Sequence, residues 1–333
     1  MSDQEILTTP PILRSAQADR SSRPAMLTRK WWDQTAKKAF FVITILPIVL
    51  IASIAIGLLI RSWPILSSYP IKDLFLGEVW KPNNGSFGFL PFISGTIWVT
   101  IVGVVLSVPP CLLTALYLSE YSHSITRSVA KPVLDLLAAI PPVVYGVWGL
   151  LAIVPFVDNI AAPFAKEWLN GIPFFAVNQP TGFSILSAGI VLAVMVAPLI
   201  IAVVYEVFTT VPNDLRHASL AVGATQWETI RYVIIPRVLP GIVAAVVLGA
   251  SRAVGETIAV LMVIGNVPKI PHSIFDAAYP LPALIANNYG DMMSIPLYDS
   301  ALLCAGLVLL LIILSFNIIS TIVLQRFLQR RQV

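Results

Sequence analysis

The chain has 333 residues, of which 57% are hydrophobic and 11% charged, and its mean hydropathy is +0.85. Soluble domains average about 25% charged residues, so this composition excludes a soluble protein and indicates an integral membrane one. The net charge of +4 comes from basic residues that flank apolar runs without forming a stripe, which excludes a nucleic-acid partner and leaves membrane lipid as the surrounding medium. The two cysteines, Cys111 and Cys304, both sit inside apolar runs and point to small buried residues, with neither a disulfide framework nor a metal site indicated.

Residues 1–39 read as a basic polar tail with Pro10, Pro11 and Pro24, ending near Trp31 and Trp32, which suit the membrane interface. The apolar run 40–60 is longer than a signal-peptide core. It is followed by Arg61-Ser62-Trp63-Pro64, which offers no small-residue cleavage site, so it reads as an uncleaved first span. Five more spans are predicted at 92–118, 133–157, 183–207, 239–264 and 301–327. The expectation is an all-α membrane domain over 40–333 with six transmembrane helices. Pro47, Pro109, Pro110, Pro141, Pro142 and Pro198 interrupt these runs. Each can be a kink or a break; residues 140–146 are the best candidate for a helix broken to line a pathway.

Orientation follows the distribution of lysine and arginine. Fifteen of the 21 basic residues fall on the side of the two termini, five fall on the other side, and Arg252 lies within a span. Both termini are therefore expected in the cytoplasm. The connections 62–91, 158–182 and 265–300 then face outward, where their Pro, Gly, Asn and aromatic content suits ordered caps or a docking face. This arrangement sets Cys111 and Cys304 at different depths, so they are not expected to pair. No internal repeat is visible, which argues against an inverted-repeat carrier.

The longest cytoplasmic connection is 211–236. Pro212-Asn213-Asp214 can start a helix with Asn213 or Asp214 as cap, and Gly223 permits a sharp turn after it. Thr225-Gln226-Trp227-Glu228 has capping-box spacing and restarts a helix, and Pro236 precedes the fifth span. By these features alone the segment is either a surface amphipathic loop or a docking element.

Within the next span, Arg252 and Glu256 stand four residues apart, which on a continuous helix puts them on one face near mid-membrane. An ionisable residue there costs about 2.5–3.5 kcal/mol on insertion scales, so a partner or a use is expected. A self-satisfied ion pair is one reading; the other is an arginine that meets a transiting oxyanion, with Glu256 restraining it between cycles. Ser251 and Thr257 can add hydroxyl donors or bond back to the backbone. Asp135 reads as an acid at the helix start of the third span, favoured by the macrodipole.

His217-Ala218-Ser219, Gly223 four residues later and Val233-Ile234-Ile235-Pro236 keep the spacing of the EAA loop of ABC importer permeases, with His217 where that family has glutamate. Residues 251–266, SRAVGETIAVLMVIGN, and 139–150, AIPPVVYGVWGL, resemble the PstC-type permeases of phosphate importers more narrowly. The likeness runs from about residue 88 to the C-terminus. It implies a type I ABC importer in a bacterial inner (plasma) membrane. Residues 211–236 would form a cytoplasmic coupling helix between spans 4 and 5, with His217, Ala218, Ser219, Gly223, Ala224 and Pro236 at the ATPase contact. Arg252, Glu256, Ser251 and Thr257 would line the substrate pathway.

The implied partners are a second, PstA-like permease, two PstB-like ATPase subunits and an external PstS-like phosphate-binding protein. No cofactor is expected in the chain itself, and it lacks the G-x-x-x-x-G-K-[ST] loop, so ATP is expected on the partner ATPase and no enzyme activity of its own is expected. A permease for sulfate or molybdate, a self-contained anion carrier or channel, and a membrane scaffold remain the alternatives.

Overall fold

The computed structural model describes residues 11–169, 171–177, 181–290 and 295–329. Among the described residues six helices are long and apolar enough to cross a membrane. The chain forms two compact units, a first ending at Gly57 and a second beginning at Leu58.

The first unit lies on helix α1, Pro11–Ser68. The stretch expected as a polar tail is thus helical from Pro11 onward. Proline suits a first helical position, the following residues are rich in Ala, Leu, Gln, Arg and Lys, and no glycine occurs before Gly57.

In the second unit, α2 (Ile71–Leu76) leads to a small antiparallel hairpin, β1 (Trp80–Lys81) and β2 (Ser86–Phe87), with Trp80 opposite Phe87. The spans follow as α3 (Leu90–Tyr121), α5 (Pro142–Trp168), α6 (Ile185–Thr209), α8 (Gln226–Val254) and α11, which runs Tyr298–Gln329. Between them lie α4 (Ser124–Ala139), α7 (Asn213–Ala221), α9 (Ile258–Val263) and α10 (Leu281–Asn288). Described residues of the connections 62–91 and 265–300 pack together in one ordered cluster. Trp80 packs on Phe87, Phe89 and Phe92 with ring centroids 5.1–5.7 Å apart, over a second core that includes Leu74, Leu281 and Leu284.

Helix α6 is the hub. Ala188, Leu192, Val196, Ile200 and Val204 recur every fourth residue and are all fully buried, a stripe that a 3.6-residue helix turns to one side. Small residues let neighbours approach it. A Cβ at Gly103 of α3 would fall 2.9 Å from Leu192 Cδ2 and 3.1 Å from Cγ. Leu192 is fully buried, so Gly103→Val is expected to destabilise the bundle by about 1–3 kcal/mol, read as a lower aggregation temperature in detergent.

Two predicted spans are corrected. The segment 133–157 is not one helix: α4 ends at Ala139, Ile140 and Pro141 are extended (ψ 129° and 140°), and α5 starts at Pro142. Pro142 disfavours a helical Pro141, and Pro141 does the same to Ile140, so the run breaks where a hydropathy window sees only apolar residues. The segment 239–264 breaks too, as described below. Pro109, Pro110 and Pro198 stay inside helices. Cys111 and Cys304 are buried and unpaired, as expected.

Candidate functional site

Span 5 carries both candidate sites, one at each end of α8. At its far end the helix stops at Val254, and Glu256 and Thr257 are non-helical before α9 begins. Arg252 and Glu256 therefore do not share a helix face, contrary to the four-residue spacing. Gly255 is a poor helix former. Glu256 Oε1 accepts from Ala259 N at 3.3 Å, which satisfies a free donor at the start of α9, and Thr257 Oγ1 donates back to Gly255 O at 3.4 Å.

Arg252 sits in the last turn of α8, where a cation suits the helix dipole. At 1.5 Å per residue it lies roughly 39 Å along the helix from Gln226, at its end and not at its middle. It is exposed, and among the described residues no ion pair involves Arg252 or Glu256.

Ser251 is engaged elsewhere: its hydroxyl donates to Asn317 Oδ1 of α11 at 3.0 Å, and Asn317 Nδ2 donates to Ile313 O at 2.9 Å. The Tyr145 hydroxyl of α5 donates to Leu137 O at 2.8 Å, across the break between α4 and α5. A Cβ on the adjacent Gly146 would lie 3.2 Å from Ala259 Cα, so the broken start of span 3 packs directly on α9. Two interrupted helices thus meet beside an arginine that has no ion pair among the described residues, and irregular backbone within a membrane bundle is tolerated where it lines a cavity or is covered by protein. Tyr145 falls within 140–146, the stretch expected to be broken; Asn317 was not foreseen, and an amide in so apolar a run as 301–322 was the available signal for it.

At the near end the chain turns a tight corner. The cap of α7 is Pro212, without a side-chain bond, and not Asn213 or Asp214. Asn213 Oδ1 instead accepts from Arg216 Nη1 at 3.3 Å. After Ala221 the chain reverses through Gly223, with φ +88°, whose N–H donates to Leu220 O at 3.0 Å. Thr225 and Glu228 form the expected capping box: Thr225 Oγ1 accepts from Glu228 N (3.2 Å) and Glu228 Oε2 from Thr225 N (2.8 Å).

Pro236 is not the boundary that its sequence position suggests. The helix passes through it, after a π-helical turn at Thr229–Ile234 that accommodates a residue lacking an N–H. Ser219 and Thr229 hydroxyls meet at 2.9 Å and tie α7 to α8. His217, Ala218 and Gly223 are exposed, Ala224 is half-buried, and Val222 (85%) and Trp227 (52%) project beside them as an apolar face.

The corner is fastened by a contact the spacing did not reveal, a two-bond ion pair from Arg216 to Glu120 at the end of α3. Beside it, Asp135 falls in the last third of α4 and not at a helix start, so the macrodipole does not account for it. Lys131 Nζ lies 3.0 Å from Glu206 Oε1, and that hydrogen bond holds the amine above its ordinary pKa.

A family model described as "Binding-protein-dependent transport system inner membrane component" matches residues 111–331. The chain is 34% identical over 320 residues to a phosphate transport system permease protein PstC from Mesorhizobium japonicum, covering 95% of each chain. It is 32% identical over 318 residues to the PstC of Pasteurella multocida, covering 95% of this chain and 97% of that one. Its fold is similar to the crystal structure of a bacterial ABC transporter involved in the import of the acidic polysaccharide alginate, with a TM-score of 0.55 at 16% identity, over 88% of this chain and 98% of that one.

Proposed function

Because the chain belongs to the family of binding-protein-dependent transport system inner membrane components, we propose that it is the subunit through which an ATP-driven importer carries inorganic phosphate inward. It is a multi-pass inner membrane protein. The observation that carries the reading is the layout of α8, with an exposed apolar corner for a driving partner at one end and, at a helix break at the other, an arginine with no ion pair among the described residues. Length-wide similarity to phosphate permeases supports phosphate as the cargo.

In this reading His217, Ala218, Ser219, Gly223, Ala224 and Pro236 build the corner that seats in an ATPase. His217, where the family has glutamate, offers a ring in place of a carboxylate. Arg252 supplies the cation at the pathway, and Tyr145 and Asn317 border it. Glu256 is kept near by its bond to α9, while Ser251 and Thr257 shape the break more than they donate to cargo. The remaining parts are a PstA-like second permease, two PstB-like ATPases that bind the ATP, and a PstS-like external protein. The chain itself holds no cofactor and performs no hydrolysis.

Co-purification tests the assembly: the tagged chain is expected to bring down an ATPase and a second permease, and a carrier or channel would come alone. Competition tests the cargo: excess sulfate or molybdate should leave phosphate uptake unchanged, and inhibition by either would favour that oxyanion.

The charge bias puts the end bearing the β1–β2 hairpin outside. Asn84→Cys is expected to react with an impermeant thiol reagent on intact cells, and Thr126→Cys only after permeabilisation. The native thiols are buried and silent. Equal labelling of both positions in intact cells would contradict the orientation.

A further inference from the structure

The ends of three spans meet at one ion pair. Glu120 lies in the π-helical turn that closes α3, its side chain 6% exposed, and Arg216 lies in α7, its side chain 19% exposed. Arg216 Nη2 donates to Glu120 Oε1 at 2.8 Å and Nε donates to Oε2 at 3.1 Å, the fork geometry that fixes orientation as well as distance. The same guanidinium donates to the carbonyl oxygens of Phe208 and Val211, where α6 runs out. Gln226, the first residue of α8, donates its Nε2 to Glu120 O at 2.8 Å. One pair therefore ties α3, α6, α7 and α8 together. Beside it opens a cavity of about 510 Å³ bordered by Arg127, His217, Leu220 and Thr229, so the corner is pinned at this pair and not by close packing all round.

Stability alone does not call for charges here, since a buried ion pair replaced by well-packed apolar groups is often no less stable. What a forked pair adds is a fixed geometry between two elements that are free to move as one. We propose that Glu120 and Arg216 form a transmission joint: two positioning residues that oblige the end of α3 to follow α7 when the ATPase displaces it. The inference rests on the reading of the chain as an importer subunit and adds to it a specific route from the docking corner to a span outside the corner.

The test uses the whole complex in vesicles, with phosphate-loaded binding protein outside and ATP inside, and reads phosphate taken up per ATP hydrolysed. Glu120→Gln keeps size and one acceptor but loses the charge. The expected result is a complex that retains its ATPase chains and hydrolyses ATP, with uptake per ATP lower by about tenfold, within the usual range for coupling between sites. Arg216→Lys, which keeps charge without the fork, should fall between this variant and the parent. In Glu120→Cys/Arg216→Cys, a short bifunctional thiol reagent should restore the ratio by replacing the pair with a covalent link, a recovery that a merely structural role would not give. An unchanged ratio in Glu120→Gln, loss of its ATPase chains, or no recovery on cross-linking would each overturn the joint. If the parental complex moves sulfate and not phosphate, the cargo reading fails separately, and the same ratio is read with sulfate.

Discussion

Arg252→Gln is expected to lower phosphate uptake by at least about a hundredfold in a complex that assembles normally, the loss typical when one preorganised donor is removed from the place where charge must be stabilised. A phosphate ion must give up much of its hydration to cross, and an unpaired anion in a low-dielectric interior costs tens of kcal/mol by Born estimates. A fixed cation lowers that barrier. Arg252 is suited to the task because it is exposed at a helix break and paired with nothing among the described residues. Arg252→Lys keeps the charge and loses the bidentate fork, so partial uptake is expected.

The absence of an ion pair to Glu256 sharpens the double variant. If the two residues served only to neutralise each other, Arg252→Gln/Glu256→Gln would recover what either single change loses. Because Glu256 bonds to Ala259 N, the double variant is expected to stay inactive. Parental uptake in a normally assembled double variant would contradict the pathway role.

Gly223→Val is expected to leave the spans inserted and to disconnect them from the ATPase. The glycine has φ +88°, and a Cβ built there meets nothing within 4 Å. Space is therefore free, and the resistance comes from the backbone, which a β-branched residue holds at positive φ only at a cost of about 1–3 kcal/mol. The corner between α7 and α8 should open, displacing Val222 and Trp227 from the docking face. The measurement is ATP hydrolysis with and without loaded binding protein: stimulation should vanish, or the ATPase chains should be lost from the complex. Gly223→Asn, which tolerates the left-handed region, should retain much of the stimulation. Normal stimulation in Gly223→Val would show that the corner does not couple.

The parts of this architecture that were legible in the sequence are the local ones. Six long apolar runs give six spans because the hydrocarbon core sets their length, and the Thr225–Glu228 capping box forms because both its bonds close within four residues. Hydropathy failed where helices end inside an apolar run. It carried span 3 back across Pro141 and span 5 on through Gly255, and that second error put Arg252 and Glu256 on a common face. The same windows missed the contacts between distant residues. Glu120 and Arg216 are separated by 96 positions and Ser251 and Asn317 by 66, and no periodicity links them.

The central claim is that this chain passes phosphate only as part of an ATP-driven, binding-protein-fed complex. Uptake of radiolabelled phosphate into vesicles holding the complete complex tests it most directly, with ATP inside and binding protein outside supplied or withheld in turn. The account predicts accumulation when both are present and none when either is missing. Phosphate entry down its gradient without ATP or binding protein would contradict it and make the chain a self-contained carrier or channel.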